Sequence, residues 1–131
     1  MTYVSLPLAS GSVAVLSIIV NAARRWREAR DMGVAIQPHL FVSLAQEGCG
    51  ILAPVIDSLM HFYEIALRRP MRTACGEVLS HDEDLLIELL SGTKQRRACL
   101  GDSGDMGDAF DTALMSTRIM VRMAFSLPAI G

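Results

Sequence analysis

Residues 79–92 read Leu-Ser-His-Asp-Glu-Asp-Leu-Leu-Ile-Glu-Leu-Leu-Ser-Gly, and this stretch contains a helix together with its start and its stop. Ser80 and Glu83 have the spacing of a capping box, in which each side chain binds the backbone N–H of the other residue. Leucines then follow at 3- and 4-residue spacing, and Gly92 stands where a left-handed C-terminal residue belongs. The stretch therefore predicts an amphipathic α-helix.

Similar helix start and stop signals occur in the sequence before this helix. A serine at position 10 or 12 can cap a first helix over about residues 13–32, and Gly33 is placed to end it. Proline suits the first turn of a helix, because its missing N–H has no helical partner there. Pro38 and Pro54 therefore predict the starts of a second and a third helix.

Similar signals mark the end of the third helix and the elements that follow residue 92. The third helix is expected to end at Arg68-Arg69-Pro70, because the residue before a proline disfavours the helical region. A short basic turn is expected over about 93–100, followed by a Gly/Asp-rich loop over 101–108. Asp105 or Asp108 would cap the last helix. No β-type alternation of useful length occurs.

These elements predict an all-α fold: a compact bundle of five or six short amphipathic helices in a single domain over 1–131, with an irregular N-terminal segment over 1–12. A chain of 131 residues fits one domain. Its composition is 51% hydrophobic but only 5% aromatic, so we expect a core of aliphatic side chains. The helix periodicity predicts these core residues: Leu16, Ile19, Trp26, Leu44, Ile56, Leu59, Phe62, Leu86, Leu89, Leu114, Val121 and Phe125.

The N-terminal part is unusually apolar, since residues 1–23 contain no charged side chain. Residues 3–20 have about the length of a membrane span. However, a proline, a glycine and four serines interrupt the segment, and the apolar periodicity continues to Trp26, as in the helix of a soluble protein. We expect no membrane partner, and a membrane-anchored small protein is kept as an alternative.

The first helix also predicts how the chain assembles. It is apolar around much of its circumference between residues 13 and 20, where a helix facing water should show a polar stripe. We therefore expect a homodimer, with Val15 and Ile18 in its interface. The basic cluster that follows is expected to be neutralised within the helix by two i,i+4 pairs, Arg24 with Glu28 and Arg27 with Asp31.

Charge and cysteine content limit the class of protein. A net charge of −2 gives no reason to expect nucleic acid as an overall partner. The three cysteines, at positions 49, 75 and 99, are odd in number and include no CxxC pair. This usage is typical of a reducing compartment, so we expect a cytoplasmic protein.

Few residues indicate chemistry. His61 and Glu64 share one helix face and are the candidate metal ligands, although a di-iron bundle would need two Glu-x-x-His pairs and further glutamates. The aspartates of 101–108 lack the ligand order of an EF-hand, and the cysteines lack a zinc-site spacing. No paired catalytic carboxylates, nucleophile–base pair or phosphate loop is present. We therefore predict no catalytic residues and no cofactor, and expect that the protein is not an enzyme.

DNA binding is the main alternative to a protein-binding role. The helix over 79–92 resembles the opening helix of a bacterial helix-turn-helix regulator, and Thr112, Ser116, Arg118 and Arg122 could then face a groove. The acidic loop over 101–108 would lie near the phosphates, which opposes binding.

The run over residues 69–86, Arg-Pro-Met-Arg-Thr-Ala-Cys-Gly-Glu-Val-Leu-Ser-His-Asp-Glu-Asp-Leu-Leu, resembles a stretch in a group of small uncharacterised all-helical proteins from alphaproteobacteria. Those proteins carry adjacent cysteines before the capping box, where this chain has Cys75 alone. The resemblance implies a bacterial cytoplasmic helical domain and no activity. The lack of an obvious catalytic site, together with the apolar composition, predicts a regulatory or accessory module that acts by self-association or by binding a protein partner.

Overall fold

The computed structural model describes residues 12–101 and 104–130, with side chains described over 14–101 and 104–125. This part of the chain forms six α-helices and no strand, so the predicted all-α class is confirmed. A single 3₁₀ turn, Gly50–Leu52, precedes the third helix. The helices are α1 Ser12–Met32, α2 Ile36–Ala45, α3 Ala53–Leu67, α4 His81–Ser91, α5 Arg96–Leu100 and α6 Asp105–Ile130.

The ends of the helices follow the local signals. The capping box of α4 is complete, since the Ser80 hydroxyl accepts from the Glu83 N–H at 3.0 Å and the Glu83 carboxylate accepts from the Ser80 N–H at 2.9 Å. Gly33 and Gly92 adopt φ of 70° and 82°, which only glycine enters without steric cost. After α3 the same left-handed conformation falls on Arg68, with φ of 62°.

Two predicted boundaries are corrected. The loop expected over 101–108 is shorter, because α6 begins at Asp105 and the Asp108 N–H donates to the Gly104 carbonyl at 3.0 Å. Aspartates in a first turn are stabilised by the positive end of the helix dipole, which explains the earlier start. At the other end, Ser12 belongs to α1. The first half of the segment considered as a membrane span, residues 3–11, lies outside the described residues.

The core is built around α3, which packs along α6 and against α1 and α2. Tyr63 of α3 stacks on Phe110 of α6, with 5.6 Å between ring centroids. Trp26 of α1 is also buried, and its indole N–H donates to Asp57 of α3 at 2.8 Å. All but three of the twelve predicted core residues are buried, while Phe62 and Phe125 pack partly exposed against the core and Leu16 is half-buried.

The first helix is more completely covered than its composition suggested. It packs against α2, α3 and α4 of its own chain. Val15 is 5% exposed and belongs to the core, while Ile18 is half-buried against that core. Val15 is therefore a core residue, which corrects its prediction as part of an exposed interface. The physical reason is that α2, α3 and α4 pack against α1, so the side with Val15, Ile19 and Val20 is buried within the chain. Leu16 and Ile18 remain half-buried.

Candidate functional site

The two predicted metal ligands, His61 and Glu64, differ in their exposure and in the groups that they contact. His61 is exposed, and its ring meets Phe62 edge-on at 5.3 Å between centroids. Glu64 pairs with Arg30 and accepts the N–H of Met71 at 2.7 Å, so its carboxylate fastens the chain that follows α3. Over residues 12–101 and 104–130, no three His, Cys, Asp or Glu side chains come together as a metal site would require.

The segment between α3 and α4, residues 68–80, is held by a cluster of charged side chains. Arg69 forms a two-pronged ion pair with Asp82, at 2.6 and 2.8 Å, and the same carboxylate accepts the Arg72 N–H at 2.8 Å. From the other side, Arg24 of α1 donates to the carbonyls of Gly76 and Val78, both at 2.9 Å. A segment without regular secondary structure thus acquires fixed partners for its backbone.

Arg24 and Glu83 form the most buried ion pair of this cluster. The Arg24 guanidinium donates to both Glu83 oxygens, at 2.7 and 3.0 Å, and the Glu83 side chain is fully buried. The pair predicted within α1, Arg24 with Glu28, is therefore wrong, whereas Arg27 does contact Asp31 at 3.2 Å. The charge–charge attraction in this pair is stronger than in an exposed pair, because water screens it less.

The environment of these carboxylates shifts their pKa values. Burial alone would raise the pKa of Glu83, but hydrogen bonds from Arg24 and Ser80, together with the charge of Arg24, bring it below the usual value. The hydrogen bonds from Arg69 lower the pKa of Asp82 against the opposing effect of burial. Both groups are thus held as carboxylates that stabilise the fold, and neither is poised to exchange a proton near neutral pH.

A second charged cluster joins α5 to α6. The Arg96 side chain is almost fully buried, donates to Asp111 at 2.9 and 3.1 Å, and donates to the Gly101 carbonyl at 2.9 Å. Its guanidinium lies on Gly107, where a Cβ would come within 2.4 Å of Nη1. A side chain at this helical position would therefore force the Arg96 guanidinium to move.

The residues proposed to face DNA do not share one role. Arg118 donates to the carbonyls of Leu89 and Leu90, both at 2.7 Å, and so completes the last turn of α4. Ser116 is half-buried, whereas Thr112 and Arg122 are exposed. Only two of the four residues are thus exposed on the surface of the bundle. DNA binding in the manner of a helix-turn-helix protein stays a prediction.

The exposed large apolar side chains include two groups of neighbouring residues, in addition to others such as Met32, Val78 and Leu79. The first, which we call the α2 surface, consists of Pro38, Phe41, Ile51 and Pro54, which line an apolar depression of about 450 Å³. Phe41 is 54% exposed and its ring lies on Gly50, where a Cβ would come within 2.5 Å of it.

The second set, the α6 surface, lies on the side of α6 opposite the core. It contains three apolar residues, each about half exposed, and three polar ones that are also exposed. Its members are Asp108, Thr112, Met115, Ile119, Arg122 and Met123. Because 3- and 4-residue steps return to the same face of a helix, these residues form a continuous stripe along α6.

Comparison with known proteins adds no relative: no family model matches this chain, and no match was found among curated proteins or solved structures. Within the described residues one helical stretch, Gly50–Leu67, is long and apolar enough to cross a membrane. One third of it is buried inside the protein, and the core helix of a soluble protein meets the same criteria.

Neither surface was identified from the sequence. Methionine and isoleucine usually lie in the core, so their recurrence on α6 is not by itself a sign of exposure. A usable signal does exist in the sequence, because the periodicity of α6 places Leu114, Val121 and Phe125 in the core. Met115 and Ile119 lie on the opposite side of the same helix, so they cannot pack into that core.

Proposed function

We propose that this chain is a small regulatory or accessory module that acts by self-association, as a homodimer. The observation that carries the proposal is the exposed apolar stripe of the α6 surface. Single exposed apolar residues are normal on a soluble protein, but a contiguous apolar face indicates a contact. The α2 surface is the competing location for the same contact.

The polar interior supports this proposal. The buried carboxylates Glu83 and Asp82 and the buried Arg96 all bind partners that fix helices or the segments between them. Their hydrogen bonds are used within the fold. Among the described residues, a partner can therefore contact only the exterior of the bundle, where the exposed apolar side chains of the α6 surface and the α2 surface lie.

The location in a reducing bacterial cytoplasm belongs to the same proposal. All three cysteines are free thiols, with Cys49 buried and Cys75 and Cys99 exposed. Exposed thiols persist in a compartment that keeps them reduced, which supports this location.

The oligomeric state tests the proposal directly. Light scattering coupled to size-exclusion chromatography should give twice the chain mass of 14.2 kDa for the wild-type protein. The measurement should extend to roughly 100 µM, because a dimer with a dissociation constant in the micromolar range is well populated there. A monomer over this whole range would contradict self-association.

A further inference from the structure

We infer that two copies of this chain pair through α6, with the two helices antiparallel and the α6 surface of each copy facing the other. This inference rests on the proposed function and deepens it, since it names the surface, the partner and the orientation. The partner is a second copy because the surface is complementary to itself in one orientation only.

The first argument is the spacing of the stripe. Asp108, Thr112, Met115, Ile119 and Arg122 are separated by steps of four, three, four and three residues. This is the spacing of the seam along which two helices of a coiled coil pack. The opposite side of α6, with Phe110, Leu114 and Val121, is buried in the bundle. One helix thus carries two separate apolar faces.

The second argument is the order of charges along the stripe. Asp108 lies at its N-terminal end, Arg122 at its C-terminal end, and Met115 and Ile119 lie between them. Both charged residues are exposed. In a parallel pair, Arg122 would face Arg122 of the other copy, and Asp108 would face Asp108. In an antiparallel pair, each arginine approaches an aspartate, so electrostatic complementarity selects this orientation.

The registers agree with the lengths of the side chains. With the two-fold axis between Met115 and Ile119, Met115 of one copy lies opposite Ile119 of the other, and Arg122 lies opposite Thr112. Asp108 is then one helical turn further, about 6 Å along the axis, which a long arginine side chain can span. The contact is isologous, so every pairing occurs twice and the assembly closes at two copies.

The α2 surface lacks this property. The residues that line its depression include no charged side chain, so nothing there fixes an orientation or a partner. The residue that follows Phe41 in α2 nevertheless provides a matched control for a substitution on a helix surface. Val42 of α2 is 61% exposed and Ile119 is 50% exposed, and both are β-branched aliphatic residues on a helix surface.

The first experiment compares Ile119→Glu with Val42→Glu by light scattering and circular dichroism. We expect Ile119→Glu to be a folded monomer, because a carboxylate would be buried against Met115 of the other copy, and this happens twice in the dimer. Val42→Glu should remain a dimer. If Ile119→Glu stays a dimer, self-association holds but the α6 inference is overturned, whether or not Val42→Glu becomes a monomer. A monomeric wild type would instead refute the proposed function itself.

The second experiment tests the orientation through charge. We expect Arg122→Asp and Asp108→Arg each to raise the dissociation constant about tenfold, since each places like charges together twice. A mixture of the two variants should form a heterodimer, because each position then again meets an opposite charge. In a parallel pair the mixture would bring opposite charges together as well, but Arg122→Asp alone would merely exchange one like pair for another.

Two results would contradict the antiparallel arrangement. One is an unchanged dissociation constant for Arg122→Asp, which is the outcome for a parallel pair. The other is a mixture that remains as weakly associated as the separate variants. Far-UV circular dichroism of each variant separates these results from a loss of folding.

Discussion

The side chain of Glu83 binds groups from two distant parts of the chain. One oxygen accepts the Ser80 N–H at the start of α4, and both oxygens accept hydrogen bonds from Arg24 of α1. The same carboxylate therefore caps the start of α4 and joins α4 to α1. Removing it leaves Arg24 with two carbonyl acceptors but without a counter-charge.

We expect Glu83→Gln to lower the free energy of unfolding by about 3 kcal/mol, because breaking a buried ion pair leaves an uncompensated charge. Asp31→Asn is the control. It breaks the exposed i,i+4 pair with Arg27, where the aspartate side chain is 56% exposed, and should cost about 0.5 kcal/mol or less. Urea unfolding at one protein concentration measures both. Equal losses for the two variants would mean that the buried pair adds nothing.

The lowered pKa values of Asp82 and Glu83 also predict how stability depends on pH. The folded protein holds these protons less tightly than the unfolded chain, for which the reference pKa values are 3.8 and 4.5. Their contribution is thus complete above these values and is lost as the pH falls through them towards the lower pKa values of the folded state. Urea unfolding between about pH 7 and pH 3 should show this decline, and Asp82→Asn should make it shallower.

At the residue scale, the local half of these contacts could be predicted and the distant half could not. Ser80 and Glu83 are three residues apart, so their capping box follows from the spacing. Arg24 was paired with Glu28 for the same reason, but its partner lies 59 residues away. A distant carboxylate becomes the better partner because packing removes it from water, and sequence spacing does not contain that information.

At the scale of elements, α5 and α6 are joined by one arginine. The guanidinium of Arg96 lies on Gly107 and binds Asp111 of α6 and the carbonyl of Gly101. Alanine is a better helix former than glycine by about 1 kcal/mol, so Gly107 weakens α6 locally. The close approach of Arg96 offsets that cost, because a Cβ at position 107 would displace its guanidinium.

This opposition predicts a change of sign in a double-mutant cycle. We expect Gly107→Ala to destabilise the wild-type protein by about 1–2 kcal/mol, since Arg96 would lose hydrogen bonds while remaining buried. In an Arg96→Ala background, the same Gly107→Ala substitution should stabilise the protein by up to about 1 kcal/mol. Urea unfolding of the four proteins gives the coupling. The same sign in both backgrounds would show that the two residues do not constrain each other.

The helices themselves were the most predictable part of the structure. Pro54, Ser80 and Gly92 mark ends that the structure reproduces, because caps depend on neighbours in the sequence. The faces of α1 were less predictable. Its apolar circumference predicts a contact with a second copy, whereas α2, α3 and α4 bury the side with Val15 and Ile19 within the chain. How many helices surround a given one is decided by the tertiary arrangement and not by its own periodicity.

For the whole molecule, assembly and stability are linked. A dimer that forms only from folded chains stabilises them by mass action, so its melting temperature should rise with protein concentration. Ile119→Glu should remove this dependence, and Val42→Glu should keep it. Thermal unfolding followed by circular dichroism, over about a hundredfold range of protein concentration, measures the effect. A wild-type melting temperature independent of concentration would contradict a dimer coupled to folding.

One feature of the interior gives the molecule an optical reporter. Trp26 is the single tryptophan of the chain, its indole N–H donates to Asp57, and the guanidinium of Arg30 lies 4.9 Å from the centre of its ring. Intrinsic fluorescence excited at the indole band therefore comes from the junction of α1 and α3 alone. Undocking of α1 would bring water to the ring and shift the emission to longer wavelength, whereas separation of two copies along α6 would leave the emission unchanged.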